Sequence, residues 1–163
     1  MNTLPLKKIL ESNAGLGSLV LRVPVGIILA AHGSQKLFGW LGGYGLAGTG
    51  QWMASIGLEP GYLMAQLAGS AEFYGGLALI FGLLTRPAAA VSAFTMLVAI
   101  FSVHINHGLF ASNNGYEFAL SLFAATLALT IQGGGSLSID NALGAIFDRR
   151  EINRAHDYSA QAV

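Results

Sequence analysis

The sequence predicts an all-α membrane protein, a bundle of four transmembrane helices. Apolar residue types make up 53% of the chain, charged types only 10%, and the mean hydropathy is +0.59. Soluble domains carry about 25% charged residues, so this deficit is typical of a chain that lies in lipid. The apolar residues fall into four runs, at about 19–38, 62–84, 87–104 and 116–132. Each run is close to the ~20 residues that a helix needs to cross a bilayer.

Composition also excludes several function classes. The chain has no cysteine, which rules out a disulfide framework, a cysteine-ligated iron–sulfur cluster and a cysteine nucleophile. Its formal net charge is zero, so nothing indicates a nucleic-acid partner. The 22 glycines fit a membrane bundle, because small residues let transmembrane helices approach closely. The lipid bilayer is therefore the first partner that the sequence predicts.

We divide the chain into a cytoplasmic N-terminal segment (1–18), a membrane domain (19–143) and a polar cytoplasmic tail (144–163). Basic residues precede the first apolar run, as they do in a signal peptide. The run continues beyond the small residues Ala30 and Ala31 that would mark a cleavage site. We therefore expect the first helix to stay in the protein.

The first predicted span carries His32 and Lys36 four residues apart near its C-terminal end. That spacing places both side chains on one helical face, and ionisable groups inside a span must face protein or water. Arg22 lies near the start of the span, where its long side chain is expected to reach the headgroups. The glycine-rich loop that follows is expected to hold a short interfacial helix at 51–56.

The second predicted span has Glu72 as its only charge, and Thr85-Arg86-Pro87 forms a turn into the third. The fourth span begins with Glu117. Residues 136–147, which include Asp140, are predicted to form a short amphipathic helix after it. We expect Arg86 and Asp140 to form a cytosolic latch between this helix and the turn.

Four spans place both termini on one side of the membrane. Seven of the eight Lys and Arg residues then lie on that side, and only Lys36 lies near the other. The positive-inside rule therefore predicts cytoplasmic termini in a multi-pass protein of the bacterial inner membrane. His32, Lys36, His104 and Glu117 all come to lie near the outer face, so the outer half of the bundle receives the ionisable groups.

Glu72 is the most informative of these residues. With a rise of about 1.5 Å per residue it lies roughly 15 Å below its helix end, and His32 lies roughly 9 Å below its own. An unpaired carboxylate at that depth is costly, and the small residues around Glu72 let a neighbouring helix approach. We expect Glu72 to contact His32, Lys36 or both. These three are the candidate catalytic residues, with Glu72 as a proton relay and the other two as hydrogen-bond donors.

We further assign His104, Glu117 and Phe73 as candidate substrate-binding residues. Alternative interpretations stay open at this point. Buried polar groups can serve only as links that fix helix packing, and Lys36 can reach the headgroups. His104 lies at a helix end, where a solvated histidine is ordinary, and Glu117 can favour a helix N-terminus through the helix dipole.

Several short motifs occur together and in order between Leu19 and Leu143. They are His32-Gly33-Ser34-Gln35-Lys36-Leu37-Phe38-Gly39, Ala71-Glu72 with Gly75-Gly76, Gly82-Leu83-Leu84-Thr85-Arg86, Val103-His104 with Gly108, Gly115-Tyr116-Glu117-Phe118 and Ser138-Ile139-Asp140. In this combination the chain resembles the DoxX family of small bacterial inner-membrane proteins. It departs from the family pattern at Gly57-Leu58-Glu59-Pro60, where Gly-Leu-Pro is more usual.

The resemblance implies a four-helix membrane protein and an association with quinone-linked oxidation or with oxidative-stress and detoxification systems. The first hypothesis is accordingly a redox role, as a membrane subunit that binds a quinone. Whether such a subunit is itself an oxidoreductase stays open at this point. The chain has no motif for flavin, nicotinamide or an iron–sulfur cluster, so a partner redox protein has to exchange the electrons. We expect neither haem nor a metal site, because His32 and His104 differ in depth and no metal motif is present.

Two alternative functions remain open. The chain can be a non-enzymatic membrane anchor or assembly partner of a redox enzyme, which would give the cytosolic surface around Arg86 and Asp140 the main role. It can also be a channel or carrier for a small solute, with Glu72 as a titrating gate. Four short helices without an internal repeat leave little room for alternating access, so a carrier would have to be a homo-oligomer.

Overall fold

A computed structural model describes residue 10 and residues 12–147, which fold into helices without a strand. We number the helices of this part of the chain from its N-terminal side. They are α1 (Gly15–Phe38), α2 (Gly45–Ser55), α3 (Gly61–Phe81), α4 (Thr85–Ala99), α5 (Glu117–Gln132) and α6 (139–147). A π-helical turn (Ile100–His104) and a 3-10 turn (Ile105–His107) continue α4. Short 3-10 turns lie at Trp40–Gly42 and Ala111–Asn113.

The helices follow the predicted elements with shifted ends. The first begins at Gly15 instead of residue 19. The interfacial helix expected at 51–56 is the longer α2, and α6 lies within the predicted 136–147. Most of the predicted N-terminal segment and tail, including Lys7, Lys8 and the tail arginines, lies outside the described residues. The division into three segments therefore stays a prediction.

Two helical stretches in the described part of the chain are long and apolar enough to cross a membrane. They are Gly15–Phe38 and Thr85–His107, with mean hydropathies of 1.6 and 2.0. Glu117–Gln132 is apolar but shorter, with 16 residues. The 21-residue helix α3 is long enough, but its Gln66, Glu72 and glycines lower its hydropathy. Length and composition therefore identify two candidate spans, and the four-span topology stays a prediction.

Helices α1 and α3 form the most extensive helix pair. Glycines make this close packing possible: a Cβ atom at Gly33 would overlap the backbone of Gly69 and Phe73, and one at Gly76 would overlap Gly26 and Ala30. The small residues expected around Glu72 therefore face the glycines of α1, as small residues in membrane helix pairs commonly do. Helix α4 packs mainly on α5, and α2 packs on α3.

The hydrophobic core runs through the centre of the bundle and takes side chains from four helices. It consists of Val25, Leu29, Leu79, Ala89, Met96, Leu122 and Leu129. Many large apolar side chains lie instead on the outside, including Val20, Phe94 and Ile131, which are 72%, 67% and 70% exposed. An apolar exterior of this kind is expected of helices that face lipid and is costly in water.

The bundle has two ends that we name by what they contain. The loop end holds residues 39–60 and 105–116. The termini end holds the turn at 82–84 and residues 133–147. His32 and Lys36 lie in the half of α1 nearer the loop end, and Arg22 lies in the other half. The two ends therefore differ in which charged groups they contain.

Candidate functional site

An ion pair connects α1 and α3 inside the bundle. Lys36 Nζ lies 2.5 Å from Glu72 Oε2, and the side chains of the two residues are 23% and 4% exposed. The predicted contact between Glu72 and Lys36 is thus confirmed. The pair forms because Gly69, one turn before Glu72, has no side chain: a Cβ atom there would lie 3.2 Å from Lys36 Cβ. Lys36 can therefore cross α3 and reach the carboxylate.

His32, Lys36, Glu72 and His104 line one cavity of about 470 Å³, bounded by α1, α2, α3 and the end of α4. A smaller space of about 100 Å³ adjoins it on the side of α5. The same four residues and Ala99 line both spaces. Ionisable groups from three separate segments of the chain therefore converge on one place, as the sequence predicted for His32, Lys36 and Glu72.

His32 is half-buried, and its ring lies against Phe118 with 5.9 Å between ring centroids and a 53° angle between planes. Within residues 12–147, its ring nitrogens have no hydrogen-bond partner. Phe118 was not predicted as part of the site. It fixes the ring by contact alone, so the imidazole nitrogens of His32 stay free to bond a ligand in the cavity.

His104 lies in the turn that ends α4, and a hydrogen bond to the loop before α5 holds its ring. Its Nδ1 lies 2.8 Å from the backbone oxygen of Asn114, and a carbonyl can only accept a hydrogen bond, so Nδ1 carries the proton. In the neutral ring Nε2 is then an acceptor. The residue belongs to the π-helical turn Ile100–His104, a feature that occurs frequently at functional sites.

The structure places Glu117 and Phe73 away from the cavity. Glu117 Oε1 accepts a hydrogen bond from the backbone amide of Ala111 at 2.6 Å and so closes the loop before α5. The Phe73 ring packs edge-on against Phe38 and Tyr74, at centroid distances of 5.2 and 5.3 Å. Neither residue lines the cavity, so the geometry gives both a structural role and does not support their assignment to ligand binding.

An apolar groove of about 340 Å³ runs along α3 and α4. It continues directly into the polar cavity, because several residues line both of them. The shared residues are Met53, Leu58, Ala68, Thr95 and Val98. The site thus has two chemically different parts, a polar cavity with ionisable groups and an apolar groove that leads to it.

Arg22 lies at the termini end and corrects one expectation. The side chain does not reach the headgroups: Arg22 is 2% exposed. Its guanidinium donates to four backbone oxygens, those of Leu79 at 2.8 Å, Gly134 at 3.1 Å, Ile80 and Leu137. Two of these belong to the last turn of α3, where helical carbonyls lack partners and a cation is favourable. The sequence argument failed because α1 begins earlier than expected, which places Arg22 two turns inside it.

Asp140 and Arg86 both tie the termini end together, and each does so through backbone partners. Asp140 is fully buried and accepts hydrogen bonds from the amides of Leu84 at 2.6 Å and Thr85 at 2.8 Å, at the start of α4. Arg86 donates to backbone oxygens of the last turn of α5. Asp140 therefore ties α6 to the turn, whereas these Arg86 bonds tie the turn to α5. A latch formed by the two residues together stays a prediction.

The described residues contain no group of three or more His, Asp or Glu side chains arranged to hold a metal ion. Fold and site together define a class: a small helical membrane protein with an ion pair and two histidines around a cavity at one end of the bundle. Comparison with known proteins names the family within this class. The DoxX family model matches residues 17–105, and the chain belongs to the DoxX family, as its motifs indicated.

The relatives include a protein named for a redox role and proteins named for their location in the inner membrane. Putative oxidoreductase CatD of Bacillus subtilis (strain 168) is 37% identical over 125 residues, which cover 77% of this chain and 85% of that protein. Inner membrane protein YqjF of Escherichia coli (strain K12) is 34% identical over 128 residues, or 78% and 92% of the two chains. Inner membrane protein YphA of the same organism is 31% identical over 127 residues, or 75% and 86%. No solved structure matches the chain.

Proposed function

We propose that this protein is a multi-pass inner-membrane subunit of a quinone-linked redox or detoxification system, and that its polar cavity binds the quinone headgroup. The observation that supports this proposal is the cavity itself, where the Lys36–Glu72 ion pair, His32 and His104 lie at the end of an apolar groove. The name of the relative CatD, a putative oxidoreductase, and those of the inner membrane proteins YqjF and YphA support the redox role and the location.

The proposed topology has four spans, with both termini in the cytoplasm. Helices α1, α3, α4 and α5 run alternately between the two ends. Of the three Lys and Arg residues that the structure describes, Arg22 and Arg86 lie at the termini end and Lys36 lies toward the loop end. The positive-inside rule then directs the loop end to the periplasm. Pairing with Lys36 makes the buried Glu72 tolerable within a span.

The residues present fit a quinone. Such a ligand has a headgroup with two carbonyl oxygens and a long apolar tail. Donors for the oxygens are Lys36 Nζ and the free nitrogens of His32, while the groove of about 340 Å³ matches the tail. The cavity of about 470 Å³ lies within the range of roughly 300–1,000 Å³ that ligand pockets occupy.

Three of the four ionisable residues then have a role in binding or in holding a proton. Lys36 orients a headgroup oxygen by charge-assisted donation. Glu72, next to it, accepts and returns a proton, and His32 donates from the α1 face with its ring fixed on Phe118. A bound quinone would supply two-electron, two-proton redox chemistry. A partner redox protein exchanges the electrons, since the chain itself carries no electron-carrier motif.

Quinone binding is tested on protein purified with its native lipid. Bound quinone is extracted and identified by mass spectrometry, and the affinity for a short-tail quinone is then measured in nanodiscs. Glu72→Gln and His32→Ala should bind about 2-fold to 10-fold more weakly. His32→Ala removes a donor to the headgroup and Glu72→Gln removes the carboxylate that positions Lys36, and a hydrogen bond of this kind is worth about 0.5–1.5 kcal/mol.

Each matched control replaces a residue of the same type, glutamate or histidine, at a position outside the cavity. Glu117→Gln removes a carboxylate near the loop end that does not line the cavity, and His107→Ala removes an exposed histidine. Both should bind the quinone with wild-type affinity. Equal weakening in all four variants, or native protein without quinone and without measurable affinity, would overturn the proposal.

The anchor alternative would place the partner contact at the termini end. Its two expected contact residues are engaged internally: Asp140 is fully buried, and Arg86 bonds the end of α5. This gives the anchor less support than the quinone site has. The channel or carrier hypothesis would additionally require a homo-oligomer, and it predicts solute flux in liposomes that contain only this protein.

A further inference from the structure

A second open cavity lies at the loop end, between the last turn of α1, the 3-10 turn after it and α2. It measures about 750 Å³, and its lining includes Gln35, Lys36, Gly43, Tyr44, Gln51 and Trp52. We call it the vestibule. Its lining carries the polar side chains of Gln35, Lys36 and Gln51 beside glycines, whereas the walls of the groove are apolar apart from Thr95. The vestibule is therefore suited to water, and the groove to hydrocarbon.

Two residues line both the vestibule and the polar cavity, Lys36 and Trp52. Together they form the partition between the two spaces. The Trp52 side chain is 43% exposed, and the Lys36 side chain keeps 23% exposure while its Nζ holds Glu72. Lys36 is thus in contact with the vestibule and with the buried carboxylate at the same time.

On the other side of the site the bundle is tightly filled. Leu29, Leu79 and Leu129, which lie between the cavity and the termini end, have no exposed surface. Beyond them the Arg22 guanidinium is bonded to four carbonyl oxygens. The loop end, where Lys36 lies between the vestibule and Glu72, is therefore the side from which water can approach the carboxylate, because a packed apolar layer lies on the opposite side.

We propose that the vestibule is the aqueous entrance to the cavity, and that Lys36 carries protons between its water and Glu72. In this step the Lys36 ammonium gives a proton to the Glu72 carboxylate, which gives one to an oxygen of the bound ligand. Lys36 then regains a proton from vestibule water, so the net change is one proton moved from water to ligand. The last transfer rests on the proposed function, and the electrons come from the partner redox protein that this function requires.

Among the titratable groups that face Glu72, Lys36 is the link to the vestibule. His32 and Lys36 come from α1, and His104 comes from the end of α4. Helix α2 contributes Trp52 and Met53, and α5 contributes Phe118, Ala119 and Leu122, none of which titrates. Of the three titratable neighbours, Lys36 is the one that also lines the vestibule.

The absence of cysteine from the chain makes single-cysteine reporters directly interpretable. Ala99→Cys places a thiol in the cavity with little change in volume. In vesicles of known orientation, an impermeant cationic thiosulfonate should modify this cysteine from the loop side. Gln51→Trp, which adds bulk to the vestibule wall, should slow the modification at least 10-fold. Ala47→Trp, at an exposed α2 position that does not line the vestibule, should leave the rate unchanged.

A second measurement needs no cysteine. A water-soluble, impermeant acylating reagent should reach the Lys36 amine from the loop side, and peptide mass spectrometry separates this site from Lys7 and Lys8. Gln51→Trp should slow the acylation of Lys36, and Glu72→Gln, which frees the amine, should speed it. This readout keeps the proposal testable where Ala99→Cys does not insert.

Each outcome decides one of the two proposals. Modification from the termini side alone, or equal slowing by Ala47→Trp and Gln51→Trp, overturns the aqueous entrance. Quinone affinity is measured on the same variants. A vestibule that admits both reagents in a protein that binds no quinone leaves the entrance standing and removes the proposed function. Quinone binding together with an unreachable Ala99→Cys and Lys36 removes the entrance alone.

Discussion

Replacing Lys36 by methionine leaves the Glu72 carboxylate without its ion-pair partner at a position that is 3% exposed. Removal of one partner from a buried pair costs about 3–5 kcal/mol, because the remaining charge is buried without compensation. Glu72→Gln should cost less, about 1–2 kcal/mol, since the Lys36 side chain is 23% exposed and can turn toward water in the vestibule. The two single variants should therefore differ in stability, and Lys36→Met should be the less stable of the two.

The double variant Lys36→Met/Glu72→Gln completes the cycle. With both charges gone, its stability should lie closer to the wild type than that of Lys36→Met, with a coupling free energy of about 2–3 kcal/mol. Reversible unfolding in detergent or bicelles, followed by circular dichroism, measures all four proteins. Additive single effects would contradict this prediction, because they would mean that the two side chains do not interact in the folded protein.

Three further predictions concern packing, the termini end and topology. Gly33→Ala should lower the free energy of unfolding by about 1–3 kcal/mol, because the added methyl group overlaps the α3 backbone. Gly17 has open space around it, so Gly17→Ala should leave the free energy of unfolding unchanged or raise it by up to ~1 kcal/mol. A thermal melt of both variants tests the α1–α3 contact. Arg22→Lys should lower the melting temperature, because an ammonium cannot serve four carbonyls as the guanidinium does; a wild-type melt would show that these bonds contribute nothing. Impermeant thiol labelling should modify Tyr44→Cys from the periplasmic side and Ala142→Cys from the cytoplasmic side, and labelling of both from one side would contradict four spans.

The sequence was most informative about the contacts of Glu72, because a buried charge allows few arrangements of its neighbours. A carboxylate in the middle of an apolar helix requires a partner, and the small residues beside Glu72 showed which face had to be close to another helix. Lys36, one of its two candidate partners, is the residue that the structure places there. The motifs of the family agreed with this interpretation, and the family model matches the chain.

Geometry explains why two other assigned residues do not line the cavity and why Arg22 does not reach the headgroups. Phe73 follows Glu72 directly, and consecutive residues point about 100° apart around a helix, so the ring turns to the aromatic side chains Phe38 and Tyr74. Glu117 lies at the right end of the bundle but bonds the preceding loop. Arg22 was misplaced by four residues of helix that the apolar pattern did not reveal.

The vestibule and the π-helical turn had no signal in the sequence. The vestibule depends on how residues 39–60 fold back over the end of α1, and hydrophobic periodicity says nothing about the path of a loop. The π-helical turn at Ile100–His104 adds one residue to a single turn, which changes the direction of His104 without changing the composition. Both features come from the packing of whole segments.

Photolabelling shows where a quinone binds on this protein. A short-tail quinone with a photoreactive group on its ring is irradiated with the protein in nanodiscs, and the adducts are located by peptide mass spectrometry. We expect adducts on cavity residues, in 32–36, 68–72 or 99–104. Excess unlabelled quinone should suppress these adducts, and Lys36→Met should lose them. Adducts confined to outward-facing side chains such as Tyr74 and Phe81, insensitive to competition, would contradict this prediction.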